Sequence, residues 1–152
     1  MFSLPVPRPI AAMAVRSGPL FYRGAMITER LQNSTSLASL ISCEEVSDQM
    51  WFDVGSTIGQ FHSASVLHRD LNVTNILRRG GDWYLIDFDK CCFVGGGANT
   101  RWRQDNLSRF QRSIRKLSEE TNQSLDQKQW RVFKEGYESV LAASQTDSGS
   151  VF

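Results

Sequence analysis

The stretch HRDLNVTNIL (residues 68–77) is followed within a few residues by WYLIDFD (residues 83–89). Between them, RRGGD (residues 78–82) separates two short apolar runs, Asn75–Leu77 and Trp83–Ile86. Apolar runs on either side of a glycine-containing turn predict a β-hairpin. Because a hairpin places its two ends side by side, we expect the polar residues that flank these runs to share one site.

Three polar side chains in these stretches have the spacing of a phosphoryl-transfer site. Asp70 and Asn75 fit H-R-D-L-x-x-x-N, and Asp87 begins D-F-x after the second apolar run. An aspartate on a rigid loop can accept the proton of an attacking hydroxyl. An asparagine oxygen and a second aspartate can bind Mg2+, which prefers oxygen ligands. The pattern predicts Asp70 as catalytic base and Asn75 with Asp87 as a metal clamp on the phosphates of ATP.

The residues around these three are predicted to support them. His68 is expected to brace the loop backbone and Arg69 to hold a local carboxylate or carbonyl. Asp89 stands where protein kinases have the glycine of D-F-G, and glycine alone allows that backbone to swing freely. The departure favours a small-molecule or glycolipid kinase over a regulated protein kinase. Taken singly, the two motifs are also compatible with a polar turn and an edge strand.

The rest of the chain has the pattern of an α+β domain. Two strands, Ala12–Val15 and Leu20–Leu31, are predicted around a Ser17-Gly18-Pro19 turn. Apolar residues at helical spacing predict four helices. Two span Ser36–Ser42 and Asp48–His62, a third carries Leu107, Phe110, Ile114 and Leu117, and a fourth carries Trp130, Phe133, Tyr137 and Val140. The glycine-rich run VGGGANT (residues 94–100) is expected to be mobile.

Composition excludes several classes of protein. The formal net charge is +1, so there is no overall attraction to nucleic acid or to a membrane. The cysteines number three, with no CxxC, which argues against a disulfide framework and for a reducing compartment. With only two histidines, a zinc site is not expected. The longest apolar stretches, such as Ile10–Val15, are far shorter than a membrane span, and the first residues do not have the pattern of a secretory signal.

Several segments together resemble one known family. HRDLNVTNIL, WYLIDFDKC and RWRQDNLSRFQRSIRKL, with PVPRPIAA and FYRGAMITERL near the start, are similar to 3-deoxy-D-manno-octulosonic acid (Kdo) kinases. The resemblance runs from about Val6 to Leu141. It implies a protein-kinase-like α+β fold with an incomplete small β lobe followed by a mainly helical large lobe. The expected divisions are a nucleotide-lobe remnant and hinge (residues 1–31), a catalytic lobe (32–145) and a frayed tail (146–152).

The resemblance also implies an activity and its cofactors. Members of the family phosphorylate the Kdo sugar of a lipid A precursor with ATP and Mg2+, as peripheral proteins at the cytoplasmic face of the bacterial inner membrane. By the same resemblance, Asp70 is the catalytic base, and Asn75 and Asp87 are the metal ligands. A hinge contacting adenine through its backbone would comprise Thr28, Glu29, Arg30 and Leu31, a stretch that is also compatible with a plain edge strand.

Parts of a complete kinase site are missing from the sequence. No lysine precedes Lys90, and no G-x-G-x-x-G precedes Thr28, so the lysine and glycine loop that hold the phosphates are absent. We expect either a fragment of a longer kinase or a degenerate chain. Since charge stabilisation on the phosphates is usually the largest catalytic contribution, the chain alone is predicted to be nearly inactive and prone to associate. The longer parent is predicted to be active.

A cluster of basic residues accompanies the third predicted helix. Its members are Arg101, Arg103, Arg109, Arg112, Arg115 and Lys116, with Asp105 as the opposing acid. These cations either form a solvated helix face or meet anionic partners, namely the phosphates of the lipid A precursor or membrane headgroups. Nucleic acid is not expected, because no recognised binding motif accompanies the cluster.

Three alternatives to a Kdo kinase remain at this point. A lipopolysaccharide heptose kinase and an aminoglycoside-type phosphotransferase would use the same catalytic residues on other acceptors. A non-catalytic kinase-like binding module would explain the missing lysine and glycine loop. The retention of Asp70, Asn75 and Asp87 argues against the binding module.

Overall fold

A computed structural model describes residues 4–95, 100–121 and 126–147. Within these ranges the elements, in chain order, are β1 Pro9–Ser17, β2 Phe21–Thr28, β3 Thr35–Ser36, α1 Leu37–Ser42, α2 Asp48–Ser63, β4 Val66–Leu67, β5 Ile76–Arg79, β6 Asp82–Leu85, β7 Cys92–Phe93, α3 Arg101–Thr121 and α4 Gln127–Asp147. The small antiparallel sheets and the four helices confirm the predicted α+β class. No helix in the described part of the chain is long and apolar enough to span a bilayer.

The first hairpin, β1–β2, is antiparallel, as the turn predicts, and Met13 lies opposite Ala25 in it. Gly18 in that turn has a φ of 79°, a conformation that glycine adopts without strain. Large apolar side chains on both strands remain exposed, among them Met13 at 62% and Phe21 at 73%. This hairpin therefore lies against little of the core, and its backbone leads directly into residues 29–34.

The second predicted hairpin is also present. Strand β5 pairs antiparallel with β6, with Ile76 opposite Leu85, and β3 joins as a third strand on the other side of β5. Ile76 and Leu85 are almost fully buried, which fixes the register of the hairpin against the helices. A further pair, β4–β7, was not predicted, since two-residue strands carry no detectable periodicity.

Helix α2 is the centre of the helical part. Ser47 caps its N-terminus, its side chain accepting from Met50 N at 3.3 Å. Its core-facing residues are at most 2% exposed and repeat every three or four positions: Trp51, Val54, Ile58 and Phe61. The predicted stripes of α3 and α4 face the same core, where Phe110 and Phe133 lie with ring centroids 5.4 Å apart.

Helices α2 and α4 pack backbone to backbone because glycines line their contact. A Cβ on Gly55 would lie 2.0 Å from the carbonyl oxygen of Phe133, and one on Gly136 would lie 2.0 Å from that of Phe52. No side chain fits at either position without moving the helices apart. The approach fixes the relative position of α2 and α4, and with it the buried polar groups between them.

Two predicted segments fall partly or wholly beyond what the structure describes. Most of the glycine-rich run at 94–100 lies outside the described residues, as does the tail beyond Asp147. Helix α4 itself extends to Asp147, two residues into the predicted tail.

Candidate functional site

The loop that carries Asp70 is shaped by its own side chains. The Asn72 carboxamide oxygen accepts from Thr74 N at 2.8 Å and from Asn75 N at 3.1 Å, and its nitrogen donates to the carbonyl of Asp70 at 3.0 Å. Asparagine often folds a loop in this way, by bonding to backbone groups two or three residues along. Asn72 is not among the predicted site residues, although an asparagine inside a short polar loop is itself a turn signal.

The backbone of Ile86 joins this loop to strand β6. Ile86 N donates to the carbonyl of Asn75 at 3.0 Å, and Ile86 O accepts from His68 Nε2 at 2.9 Å. The Asn75 side chain donates in turn to the carbonyl of Asp70 at 3.0 Å. Through these bonds, the structure brings together the three predicted residues Asp70, Asn75 and Asp87, the last directly following Ile86 in the chain.

Asp87 has a φ of 65°, in the left-handed region. Aspartate enters this region more readily than most residues, but such conformations still cost about 1–3 kcal/mol and cluster at functional sites. The carboxylate is exposed, and the next residue, Phe88, is anchored with its ring 5.0 Å from that of His68. The strained backbone thus turns Asp87 outward while Phe88 faces the core.

Asp70 is half-exposed and lies against helix α3. Its Oδ1 is 3.7 Å from Nη1 of Arg109, itself half-exposed. Arg109 also lines a small cleft of about 260 Å³ together with Arg69 and Trp102. Sequence reasoning placed Arg109 among the basic residues of α3 but gave no reason to pair it with Asp70, because the two residues meet only through the fold.

A larger cleft of about 630 Å³ has Ile86 in its lining. It is lined by residues 28–34 with Pro7, Leu77 and Ile86. The predicted hinge residues Thr28, Glu29, Arg30 and Leu31 all contribute to its wall. The N–H of Glu29 donates to the carbonyl of Arg8 at 2.9 Å, so it is not available to a ligand. The Glu29 carboxylate is 3.9 Å from the guanidinium of Arg79.

A series of buried hydrogen bonds connects the Asp70 loop with three helices. Asn106 Nδ2 donates to the carbonyl of His68 at 2.8 Å, which leaves Asn106 Oδ1 to accept from His62 Nε2 at 3.0 Å. His62 Nδ1 is then an acceptor for the Tyr137 hydroxyl at 2.8 Å. Burial raises the pKa of Tyr137 to about 12, so the hydroxyl keeps its proton. The hydrogen bonds therefore select the neutral Nε2–H tautomer of His62.

Neither His62 nor Asn106 was predicted as a site residue. A signal was present for Asn106, which stands four residues before Phe110 and eight before Ile114, on the apolar stripe of α3. A polar residue at such a position is buried and must have a hydrogen-bonding partner. The sequence could not reveal that this partner is the carbonyl of His68.

The basic residues of α3 do not share one role. At 3.6 residues per turn, five of the six point away from the buried stripe, and these five are exposed: Arg101, Arg109, Arg112, Arg115 and Lys116. Arg103 lies on the opposite side and donates to the carbonyl of His62 at 3.2 Å. It belongs to the interior surface of α3, apart from the other cations.

Among the described residues, no group of three or more His, Cys, Asp or Glu side chains is placed to hold a metal ion. The predicted metal clamp consists of one aspartate, Asp87, and one asparagine, Asn75, so it does not form such a group.

Burial raises the pKa of Cys91 to about 11, with nearby Asp87 and Asp89 adding to the rise. Its thiol is therefore a poor nucleophile at neutral pH.

Comparison with known proteins places this geometry in a family. Residues 2–137 match the model of the lipopolysaccharide kinase (Kdo/WaaP) family. A 3-deoxy-D-manno-octulosonic acid kinase of Photobacterium profundum is 38% identical over 134 residues, which cover 88% of this chain and 55% of that protein. One of Xanthomonas campestris pv. campestris is 47% identical over 115 residues, covering 75% of this chain and 45% of that protein. The chain thus spans about half the length of these relatives.

A solved structure has the same fold. The chain of WaaP, in a complex described as WaaP with acyl carrier protein, superposes with a TM-score of 0.70 at 16% sequence identity. The superposition covers 96% of this chain and 69% of that one. The predicted protein-kinase-like fold is confirmed by this match.

Stability is expected to depend on the protonation of His62. Burial lowers its pKa from 6.5 to about 4, the Asn106 hydrogen bond opposes this shift, and Arg103 adds to it. Between these two pH values the unfolded chain binds a proton that the folded chain does not, so stability falls as the pH falls through that window. This difference in the pKa of His62 between the unfolded and folded chain corresponds to about 3 kcal/mol of the free energy of unfolding. That contribution is lost in full below about pH 4.

The check is the free energy of unfolding from urea titrations across this pH range. His62→Gln retains a donor and an acceptor but cannot take up a proton, so its stability should fall less steeply over the window. If the wild-type chain and His62→Gln lose stability in parallel, His62 does not titrate in the way described.

Proposed function

The chain belongs to the lipopolysaccharide kinase (Kdo/WaaP) family, and from that premise we propose that it transfers the γ-phosphoryl group of ATP to a hydroxyl of the Kdo sugar on a lipid A precursor. The observation that carries the proposal is the pair of bonds from the Ile86 backbone to His68 and Asn75. They place a half-exposed aspartate, an asparagine and a second aspartate at one junction. The names of the curated relatives support Kdo over heptose as the acceptor sugar.

Asp70 is proposed as the base of the reaction. Its carboxylate accepts the proton of the acceptor hydroxyl while the hydroxyl oxygen bonds to the γ-phosphorus and the bond to the departing ADP breaks. Asp70 must keep a fixed position for this step. Its backbone is fixed by two hydrogen bonds, since its carbonyl accepts from the side chains of both Asn72 and Asn75. Positioning of this kind contributes a large part of catalysis by kinases.

Asn75 and Asp87 are proposed to hold Mg2+. The nitrogen of the Asn75 side chain is committed to the carbonyl of Asp70, so its oxygen is left as the donor for a cation. The carboxylate of Asp87 is exposed directly beyond Ile86. An oxygen-only pair suits Mg2+, which takes its remaining ligands from phosphates and water. When bound, the ion neutralises charge that develops on the phosphates.

The cleft of about 630 Å³ is proposed as the nucleotide site. Its size is within the range typical of sites for small molecules and cofactors. Its lining combines the apolar residues Leu77 and Ile86 with residues 28–34, and a partly apolar lining suits a planar base. Because Glu29 N is already bonded, Arg30 and Leu31 are the hinge residues proposed to contact the base.

The exposed cations of α3 are proposed to hold the protein at an anionic membrane surface. Four residues, here called the basic face, carry this charge: Arg101, Arg112, Arg115 and Lys116. All four are exposed, although Arg115 is also 3.8 Å from Glu119. Basic side chains near an anionic surface contribute about 1 kcal/mol each to binding. A peripheral position of this kind would bring the protein to a lipid-linked acceptor.

The proposed reaction is tested most directly in a chimera. The segment of the Photobacterium profundum relative that matches this chain is replaced by the corresponding residues of this chain, and phosphoryl transfer from ATP to a Kdo-bearing lipid A precursor is measured. We expect transfer by the chimera, and a loss of about 100- to 10,000-fold in the Asp70→Asn chimera, as is usual when a general base is removed. Asp82→Asn, at the exposed hairpin turn, is the matched control and should be unaffected.

A folded chimera that binds ATP but transfers nothing to Kdo would overturn the acceptor assignment. An Asp70→Asn chimera with undiminished turnover would overturn the role of Asp70.

Binding to vesicles that contain anionic lipid should depend on the basic face. The double variant Arg112→Gln/Lys116→Gln removes two of its charges and should weaken binding by about 2 kcal/mol, roughly 30-fold, at low salt. The control, Arg131→Gln/Lys134→Gln, removes two exposed charges from α4. Equal weakening by both double variants, or binding that does not respond to salt, would contradict a specific basic face.

A further inference from the structure

A second, smaller cleft opens beside the proposed catalytic base. It has a volume of about 260 Å³, and its lining residues are Leu67, Arg69, Trp102, Asp105, Asn106 and Arg109. Arg109 connects this cleft with the reaction centre, since its Nη1 is 3.7 Å from Oδ1 of Asp70. The nucleotide cleft has a different lining, built from residues 28–34. A group bound in the small cleft would therefore approach Asp70 from the side of α3.

The pair of Arg109 and Asp70 contributes little to stability. The two side chains are 51% and 44% exposed, and exposed ion pairs contribute about 0–1 kcal/mol. At 3.7 Å the contact is also longer than a charge-assisted hydrogen bond, which is about 2.7–2.9 Å. The guanidinium thus retains donors for another anion, and a planar guanidinium binds a carboxylate through two parallel hydrogen bonds.

The charges around the cleft favour a shaped ligand over a diffuse anion. Arg69 and Arg109 are offset by Asp105 in the lining and by Asp70 at the rim. Four charges that balance in this way create no strong general attraction for anions. An anion gains affinity here only if it matches the fork of the arginine, so the selection is geometric.

The aromatic residue in the lining of the cleft, Trp102, is held in place by a contact with His62. The ring of Trp102 meets the buried ring of His62 edge-on, with centroids 4.9 Å apart. Asn106, on the next turn of α3, is held between His62 and the carbonyl of His68. A rigid aromatic face beside a polar group provides a large contact area at a low cost in conformational entropy, and it suits the carbon–hydrogen face of a sugar ring.

We propose that this cleft binds the acceptor sugar through its acid group. The sugar ring lies against Trp102, its carboxylate is bound by Arg109, and a hydroxyl is thereby directed towards Asp70. Arg109 is then the residue that distinguishes an acidic sugar from a neutral one. The assignment rests on the proposed function for the identity of the acceptor, but it concerns binding alone and requires no turnover.

The test measures binding to the purified 152-residue chain by the shifts of tryptophan indole resonances. The probes are the methyl glycoside of Kdo and the methyl ester of the same glycoside, which keeps the ring and removes the charge. We expect the acid to bind about 10- to 100-fold more tightly than the ester, the range for hydrogen bonds to a charged group. In Arg109→Gln, acid and ester should bind equally and weakly, whereas Arg131→Gln, which removes an exposed arginine of α4, should retain the preference.

Several outcomes would overturn the assignment. They are equal binding of acid and ester to the wild-type chain, no binding of the acid, a preference that survives in Arg109→Gln, and displacement of the acid by an equal concentration of inorganic phosphate. The comparison of acid with ester in the wild-type chain needs no variant, so it stands even if Arg109→Gln is unstable.

Failure of the proposed function would look different. A chimera that does not phosphorylate Kdo, together with a chain that still prefers the acid through Arg109, would leave a sugar-acid binding site without the reaction. If a chimera phosphorylates Kdo but the chain shows no preference for the acid over the ester, the proposed reaction stands and the small cleft has no part in it.

Discussion

The two hydrogen bonds of the Ile86 backbone are the constraint on which the site depends. One ties the residue that follows strand β6 to His68, at the start of the Asp70 loop, and the other ties it to Asn75 at the end of that loop. Since Asp87 follows Ile86 directly, the same bonds set its position relative to Asp70. If the loop and the strand were held less firmly, the half-exposed Asp70 and the exposed Asp87 would lose their fixed positions relative to the buried Asn75.

The support beneath the loop reaches far into the fold. Glycines bring α2 and α4 into backbone contact, and this places Tyr137 where its hydroxyl can donate to His62. His62 orients Asn106, and Asn106 holds the carbonyl of His68, two residues before Asp70. The side chains of Tyr137, His62 and Asn106 are buried and hydrogen-bonded in series, so disturbing one leaves another unsatisfied at a cost of about 1–3 kcal/mol. The core thus serves the site as well as the stability of the domain.

The sequence predicted what is local or carried by a motif. Apolar spacing indicated α2, α3 and α4, glycine turns indicated both long hairpins, and H-R-D-L-x-x-x-N with D-F-x indicated the loop and the strand. The remainder depends on residues far apart in the chain. The contact of Asp70 with Arg109 spans 39 residues and the bond of His62 with Tyr137 spans 75, and no periodicity encodes either pairing. The roles of the named site residues, and the division at residue 31, remain predictions.

Hydrogen exchange of the Ile86 amide tests the central constraint most directly. Its N–H donates to Asn75 O at 3.0 Å in a half-buried position, so it should exchange slowly, at a rate comparable with amides of the buried core such as that of Val54. The amide of Asp89, an exposed residue in a turn, provides the fast reference in the same protein. If Ile86 exchanges as fast as Asp89, the strand does not hold the loop, and the convergence of Asp70, Asn75 and Asp87 loses its physical basis.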